Sequence, residues 1–399
     1  MNVNRHEFIG SAAATLAVGL VVALLTTEAK AWCFFEKGCV PAGVTTNPVH
    51  VSTLDLADPR RRQNQFLPKT TPDANDFRFD PDGIFTFFHL SDFHRNRFEM
   101  TERERAFFAR AYAAYRPKLA VVTGDNSNLR CRGLFESAVA PLVKLFTDRE
   151  LPFAITFGNH DTEAIGEGWY TAGEQWRFFA KAGGRFFVDR HDPSVPGGGV
   201  QAIDVRDGSG AVRFRLAVMD SGDYGPRGGG FDSVRAPSVA WARRILGDGI
   251  PTLFFQHIVV PETRERFGRG LFRAAKDGEK GVKEAYWDVP YVVDGRRAVG
   301  EIHEGMGSVT LEASRNPVYL SEGESIYDVW RKAPNFRGAY FGHDHVNSVD
   351  GTTTDGVRLG LTKTSSVCAY NDGVLALRVF RLHTDGTYET FMVTERQMP

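Results

Sequence analysis

Short, almost wholly apolar runs separated by segments of helical length constrain this chain more than any other feature. Ile84-Phe85-Thr86-Phe87-Phe88-His89-Leu90 is the first, and Leu119-Ala120-Val121-Val122 and Phe153-Ala154-Ile155-Thr156-Phe157 follow. Leu216-Ala217-Val218-Met219, Thr252-Leu253-Phe254-Phe255 and Gly338-Ala339-Tyr340-Phe341 continue the series. Runs of this length without alternation are strands buried on both faces, which is how parallel sheets read. Between them, Thr101-x-x-Glu104 is a capping box opening a helix to about Tyr115, stopped by Pro117. Further helices are expected over 134–147 and 238–246. Alternating strands and helices predict βαβ units, hence an α/β sandwich with a mixed, largely parallel core. Asp385-Gly386, between alternating stretches over 374–382 and 388–393, predicts a closing hairpin.

The rest of the chain bounds compartment and class. With 399 residues, 42% of them hydrophobic, it can bury a sizeable core without disulfides. Its 48 Lys+Arg against 49 Asp+Glu, net charge -1, exclude binding by blanket attraction to nucleic acid or anionic lipid. No nucleic-acid scaffold binding is therefore expected, and oligomeric state leaves no trace in the sequence. Arg5-His6, an apolar run from Phe8 to Leu25, and Glu28-Ala29-Lys30-Ala31 have the order of a secretory signal, with cleavage expected after Ala31. Asn4-Arg5-His6-Glu7-Phe8 resembles a twin-arginine export motif with His6 in place of the second arginine. The expected protein is periplasmic or extracellular, with no span after cleavage; the alternative is an N-terminal membrane anchor. Cys33 and Cys39 are spaced to close a small loop in an oxidising compartment, or are unpaired thiols. The organisation read here is a signal over 1–31, an irregular proline-punctuated extension over 32–83, and one domain over 84–399. Residues 264–335 are a candidate insertion or lid.

The chemistry sits where the strands end. Ser91-Asp92-Phe93-His94 follows the first strand, Thr123-Gly124-Asp125-Asn126 the second and Gly158-Asn159-His160-Asp161 the third. Gln256-His257 follows a fourth, and Gly342-His343-Asp344-His345 a fifth. Ligands of open parallel sheets bind beyond the carboxyl ends of the strands, so these blocks are expected to converge on one crevice. Carboxylate oxygen plus imidazole nitrogen, without thiolate, suits two first-row metal ions. Two such ions can clamp the attacking and leaving oxygens of a phosphoryl centre.

These five blocks, in this order, resemble those of the calcineurin-like metallophosphoesterase superfamily, over about Ile84 to Val349. Gly124-Asp125-Asn126, the Gly-Asn-His-Asp block, His257-Ile258-Val259-Val260-Pro261-Glu262 and Gly342-His343-Asp344-His345 are similar to a branch of purple acid phosphatase relatives. The resemblance implies a four-layer αββα sandwich with the metal site at the carboxyl ends of the strands. It implies two metal ions, iron, manganese or zinc. Asp92, His94 and His345 would hold one, Asn159, His257 and His343 the other, and Asp125 would bridge. Asn128 stands where the purple enzymes carry a tyrosine ligand, so the colour should be absent. The implied reaction is hydrolysis of a phosphomonoester by a hydroxide bridging the metals. His160 would act as acid or transition-state stabiliser, with Asp161 fixing its tautomer. Alternatives are a phosphodiesterase on the same site, or an inactive metal-binding recognition scaffold. Arg227, in a glycine-rich stretch, is a candidate phosphate contact, and 196–199 and 225–230 are candidates for the rim. No phosphate-loop motif exists, and Gly323-Glu324-Ser325-Ile326-Tyr327 fails the serine-hydrolase elbow at its last position.

Overall fold

The computed structural model describes residues 65–68, 70, 75–129, 132–162, 170–224, 231–262, 290–293, 296–299, 321–353 and 355–398. The proposed signal, both Cys33 and Cys39, Arg227 and most of 264–335 lie outside them.

All six apolar runs become strands, and they divide between two sheets. β1 (Ile84–Leu90) pairs in parallel with β2 (Ala120–Thr123), and β2 with β3 (Phe153–Thr156). The expected hairpin, β12 (Ala376–His383) and β13 (Tyr388–Thr394), joins antiparallel beside β1, giving the order β13-β12-β1-β2-β3. The second sheet is built on β5 (Val212–Val218), β6 (Thr252–Gln256), β9 (Phe336–Phe341) and β11 (Arg358–Leu361), all parallel. β4 (Gln201–Arg206) adds antiparallel at one edge. At the other edge, β10 (Asp350–Thr352), β8 (Arg296–Val299) and β7 (Pro290–Val293) follow antiparallel. Two of these strands fall within 264–335, so part of that segment extends the sheet.

The strands' alternation sets the layers. On β1, Phe85 and Phe87 face one way, while Phe88 and Leu90 face the other. The first pair meets Phe255 of β6 and Tyr340 of β9 across the seam, with Phe380 of β12 beside them. Phe87 stacks on Phe380 at 4.7 Å between centroids and meets the edge of Phe255 at 5.7 Å. Each such ring contributes about 1.5–3 kcal/mol by leaving water. Phe88 and Leu90 pack under α1 (Glu102–Tyr115), α2 (Arg132–Thr147) and α3 (Ala172–Gly183). On the far side, Ala217, Phe254 and Phe341 pack under α4 (Ala236–Leu246) and α5 (Ile326–Lys332). The result is helices, sheet, sheet, helices: the αββα sandwich.

The Thr101–Glu104 capping box forms as read, and Arg116 ends α1 in a left-handed turn before Pro117. The stretch 196–199, expected at the rim, is mostly buried instead. The Gly198 N–H donates to Asp220 at 2.7 Å and its carbonyl accepts from Thr156, which ties this loop to the ends of β3 and β5.

Candidate metal centre

The carboxyl ends of β1, β2 and β3 bring Asp92, His94, Asp125 and Asn159 from the first sheet. The ends of β6 and β9 bring His257, His343 and His345 from the second. Donor atoms of Asp92, His94, Asp125 and His345 lie within 4.8 Å of one another, as do those of Asp125, His257 and His343. Asp125 belongs to both sets. The Asn159 side-chain oxygen stands 3.2 Å from Nε2 of His257, beside the second set.

Each donor is aimed by a partner on its far side. Oδ2 of Asp92 accepts the His343 N–H at 2.9 Å, which leaves Oδ1 for the site. Oδ1 of Asp125 accepts the His160 N–H at 2.8 Å, which leaves Oδ2. The two remaining oxygens are buried and accept no well-directed hydrogen bond. Instead, Oδ2 of Asp125 faces Nε2 of His257 at 3.2 Å and of His94 at 3.3 Å; Oδ1 of Asp92 faces Nε2 of His345 at 3.3 Å. Imidazole nitrogens crowd likewise, His94 to His345 at 3.1 Å and His257 to His343 at 3.2 Å. Nδ1 of His257 donates to the Thr123 carbonyl, Nδ1 of His345 to the Tyr370 carbonyl and Nδ1 of His94 to Asn128 Oδ1, at 2.7, 3.0 and 2.7 Å. That turns each Nε2 inward, where it can take a metal ion or, in its absence, a proton. Inward nitrogens crowded beside buried carboxylate oxygens call for a cation between them. The donor set therefore fits two metal ions sharing Asp125.

Charge repeats the geometry. Burial would raise the Asp92 carboxyl, yet the neighbouring His345 and His257 bring it down to about 2. Asp125 is held well below the carboxylate range against the same burial by His257, His160 and His94. Burial would lower His257, but Asp125 and Asp92 raise it to about 9. In His345 burial wins over Asp92 and the pKa falls.

The backbone is bent to make this possible. Asp92, His94, Asp125 and His343 have φ of 59°, 44°, 50° and 68°, a region costly to non-glycine residues and found where surrounding structure over-determines it. The glycines of the blocks allow close approach: a Cβ on Gly158 would collide with the Asp125 carboxylate, and one on Gly342 with Ser91 Oγ.

The remaining block residues divide by surroundings. His160 opens a 3₁₀ turn, half-buried, its ring 5.1 Å from that of His94. Asp161 is buried and accepts N–H groups of Gly158 at 2.7 Å and Asn126 at 2.8 Å, bracing the loops after β2 and β3. Asn126 completes that brace through its side chain. Asp344 is buried, and both its oxygens accept from Asn347 at 2.9 Å.

Sequence reading missed the supports. Asn128, noted only for the tyrosine it replaces, holds His94. Tyr224 accepts from the Asn159 amide at 2.9 Å. Phe231 sets an edge on His343 at 4.2 Å, and Tyr370 stacks on His345 at 3.9 Å and 24°. Only Asn128, two residues past a recognised block, carried a local signal.

Residues 85–224 match the family model of the calcineurin-like phosphoesterases. The remaining donors, His257, His343 and His345, lie beyond the matched segment and are brought to it by the second sheet. Among solved structures 32 chains match; one is 8% identical with a TM-score of 0.39, covering 77% of this chain and 98% of its own. No curated protein matches.

Proposed function

We propose that the protein is an exported phosphomonoesterase working with two metal ions. The observation that carries this reading is Asp125: one carboxylate oxygen is fixed by the His160 N–H, and the other is bare and common to two histidine-rich donor sets. When bound, two metal ions at such a site polarise phosphoryl oxygens and acidify water for in-line attack. Asp92, His94 and His345 would hold one, Asn159, His257 and His343 the other. Iron, manganese and zinc all suit these donors. The chain's own part is to hold this geometry with buried donors in a strained, pre-formed backbone. His160, half-exposed beside His94 and tethered through its backbone to Asp125, is placed to protonate the leaving oxygen. The order of basic start, apolar run and Ala-Lys-Ala supports export.

Hydrolysis of p-nitrophenyl phosphate and bis-p-nitrophenyl phosphate by the chain loaded with manganese, zinc or iron tests this reading. The expected result is a monoester preference that His160→Ala reduces by about 10²–10⁴-fold with both metals retained. A diester preference would replace monoesterase by phosphodiesterase, and absence of turnover with metals bound would leave a binding scaffold. The mass of the exported chain should correspond to a start at Trp32.

A further inference from the structure

We propose that His89 is a positioning residue for the second metal ion: by clamping Thr123 of one sheet to Thr362 beside the other, it fixes the backbone from which Asp125, His257 and His343 are aimed. The inference rests on the two-metal reading and goes beyond it, to a side chain outside all five blocks. His89 lies on β1, three residues before Asp92, on the face that carries Phe85 and Phe87 into the seam between the sheets. Its ring meets the edge of Phe255 at 5.1 Å. Nε2 lies 2.8 Å from Thr123 Oγ1 and Nδ1 2.8 Å from Thr362 Oγ1, and all three side chains are buried.

Each arm of the clamp ends at the site. Thr123 is the last residue of β2, two before Asp125, and its carbonyl accepts from Nδ1 of His257 at 2.7 Å and from Ser91 Oγ at 2.9 Å. Thr362 follows β11, and its N–H donates at 2.8 Å to the carbonyl of Phe341, the last residue of β9 and two before His343. Asp125, His257 and His343, so reached, form the second donor set. Packing alone does not call for an imidazole here. Phe85 and Phe87 fill the same face, and a polar ring among them is unfavourable unless its nitrogens are hydrogen-bonded. What the imidazole adds is direction: a neutral ring offers one donor and one acceptor, and a threonine hydroxyl answers either. Burial and the charge of Arg378 hold the His89 pKa well below its ordinary value, so the ring brings no charge into the seam. Arg378 itself donates to Thr362 Oγ1 at 3.3 Å, bracing the far end.

The test uses the fact that an amide copies one ring nitrogen at a time. In His89→Gln the amide reaches the place of Nε2 and keeps Thr123; in His89→Asn it reaches the place of Nδ1 and keeps Thr362. His89→Phe fills the volume and keeps neither. On the full chain, manganese is titrated with stoichiometry by native mass spectrometry, and amide hydrogen exchange over 252–258 is followed in chelator-treated protein. One manganese equivalent should weaken about 10–100-fold in His89→Phe and His89→Asn and return to within about threefold in His89→Gln. Exchange over 252–258 should be faster in the same two variants and unchanged in His89→Gln. Combined with Asn159→Ala, His89→Phe should add little, because both act on the same ion. Unchanged binding of both equivalents in His89→Phe overturns the clamp. So does equal weakening in His89→Gln and His89→Asn, or a loss that merely follows the denaturant midpoint, either of which leaves His89 a packing residue. If His89→Phe does not fold, the Gln and Asn pair decides. If the unaltered chain binds no metal, the two-metal reading falls; exchange that is slow in His89→Gln and fast in His89→Asn then still sustains the clamp, and equal exchange removes it.

Discussion

His94 differs from its neighbours in how it is held. His257 and His345 are oriented by main-chain carbonyls, which no substitution removes, whereas His94 depends on the Asn128 side chain at 2.7 Å. Asn128→Ala should let the imidazole choose its tautomer and weaken the ion held by Asp92, His94 and His345 about 10–100-fold. Asn128→Asp, which preserves the acceptor, should retain or strengthen it. Metal titration with stoichiometry by mass spectrometry reads both, and equal affinities in Asn128→Ala and the unaltered chain would remove the role. The donors themselves were legible because each sits in a recognisable block at a strand end. Their supports were not, since Tyr224, Phe231 and Tyr370 come from loops whose sequence carries no period and whose partners are distant in the chain.

Among elements, the turn leaving β9 shows how tightly the blocks are fitted. His343 takes a left-handed φ, and Gly342 before it faces Ser91 and Asp92 with no room for a methyl group. Gly342→Ala should cost about 1–3 kcal/mol through overpacking, or displace the Ser91–Asp92 backbone and lower metal occupancy. A denaturant midpoint and metal content both equal to those of the unaltered chain would show that the turn yields. The strands were read from apolar runs, and those containing charge were shortened or lost. β5 starts at Val212, ahead of the expected 216, because Arg215 is accommodated by Asp204 at 2.7 Å and Asp248 at 2.6 Å. β10 is three residues long and polar, and β11, with Leu359 and Leu361 in the core, is only four, too short for either to show a period in the sequence. α3 did carry a signal, the Thr171–Glu174 capping box, identical in kind to the one that announced α1.

For the whole molecule, charge in the centre links stability to pH and metal. His257 is raised in the folded chain from an ordinary 6.5 to about 9. Its contribution to the metal-free fold is therefore complete below about 6.5 and is lost as pH rises through about 9. Asp92, brought down to about 2, acts oppositely: its contribution is present above 3.8 and lost as pH falls through about 2. Chelator-treated protein should thus show a falling thermal midpoint from about pH 6.5 to 9. Reloaded protein should gain over the same range, because metal ions compete with protons for the same nitrogens. Calorimetry of the two preparations across that range checks the sign; a flat metal-free midpoint would mean that His257 is not charged there.

Each donor set takes atoms from both sheets, with His345 joining Asp92 and His94, and His257 and His343 joining Asp125. Fraying of any single loop would leave donors from the opposite sheet in place, so an ion bound there would be held from both sides. Exchange of bound metal with solvent should accordingly follow the slow, collective opening that exposes the phenylalanine-rich seam, and the two ions should leave on one clock.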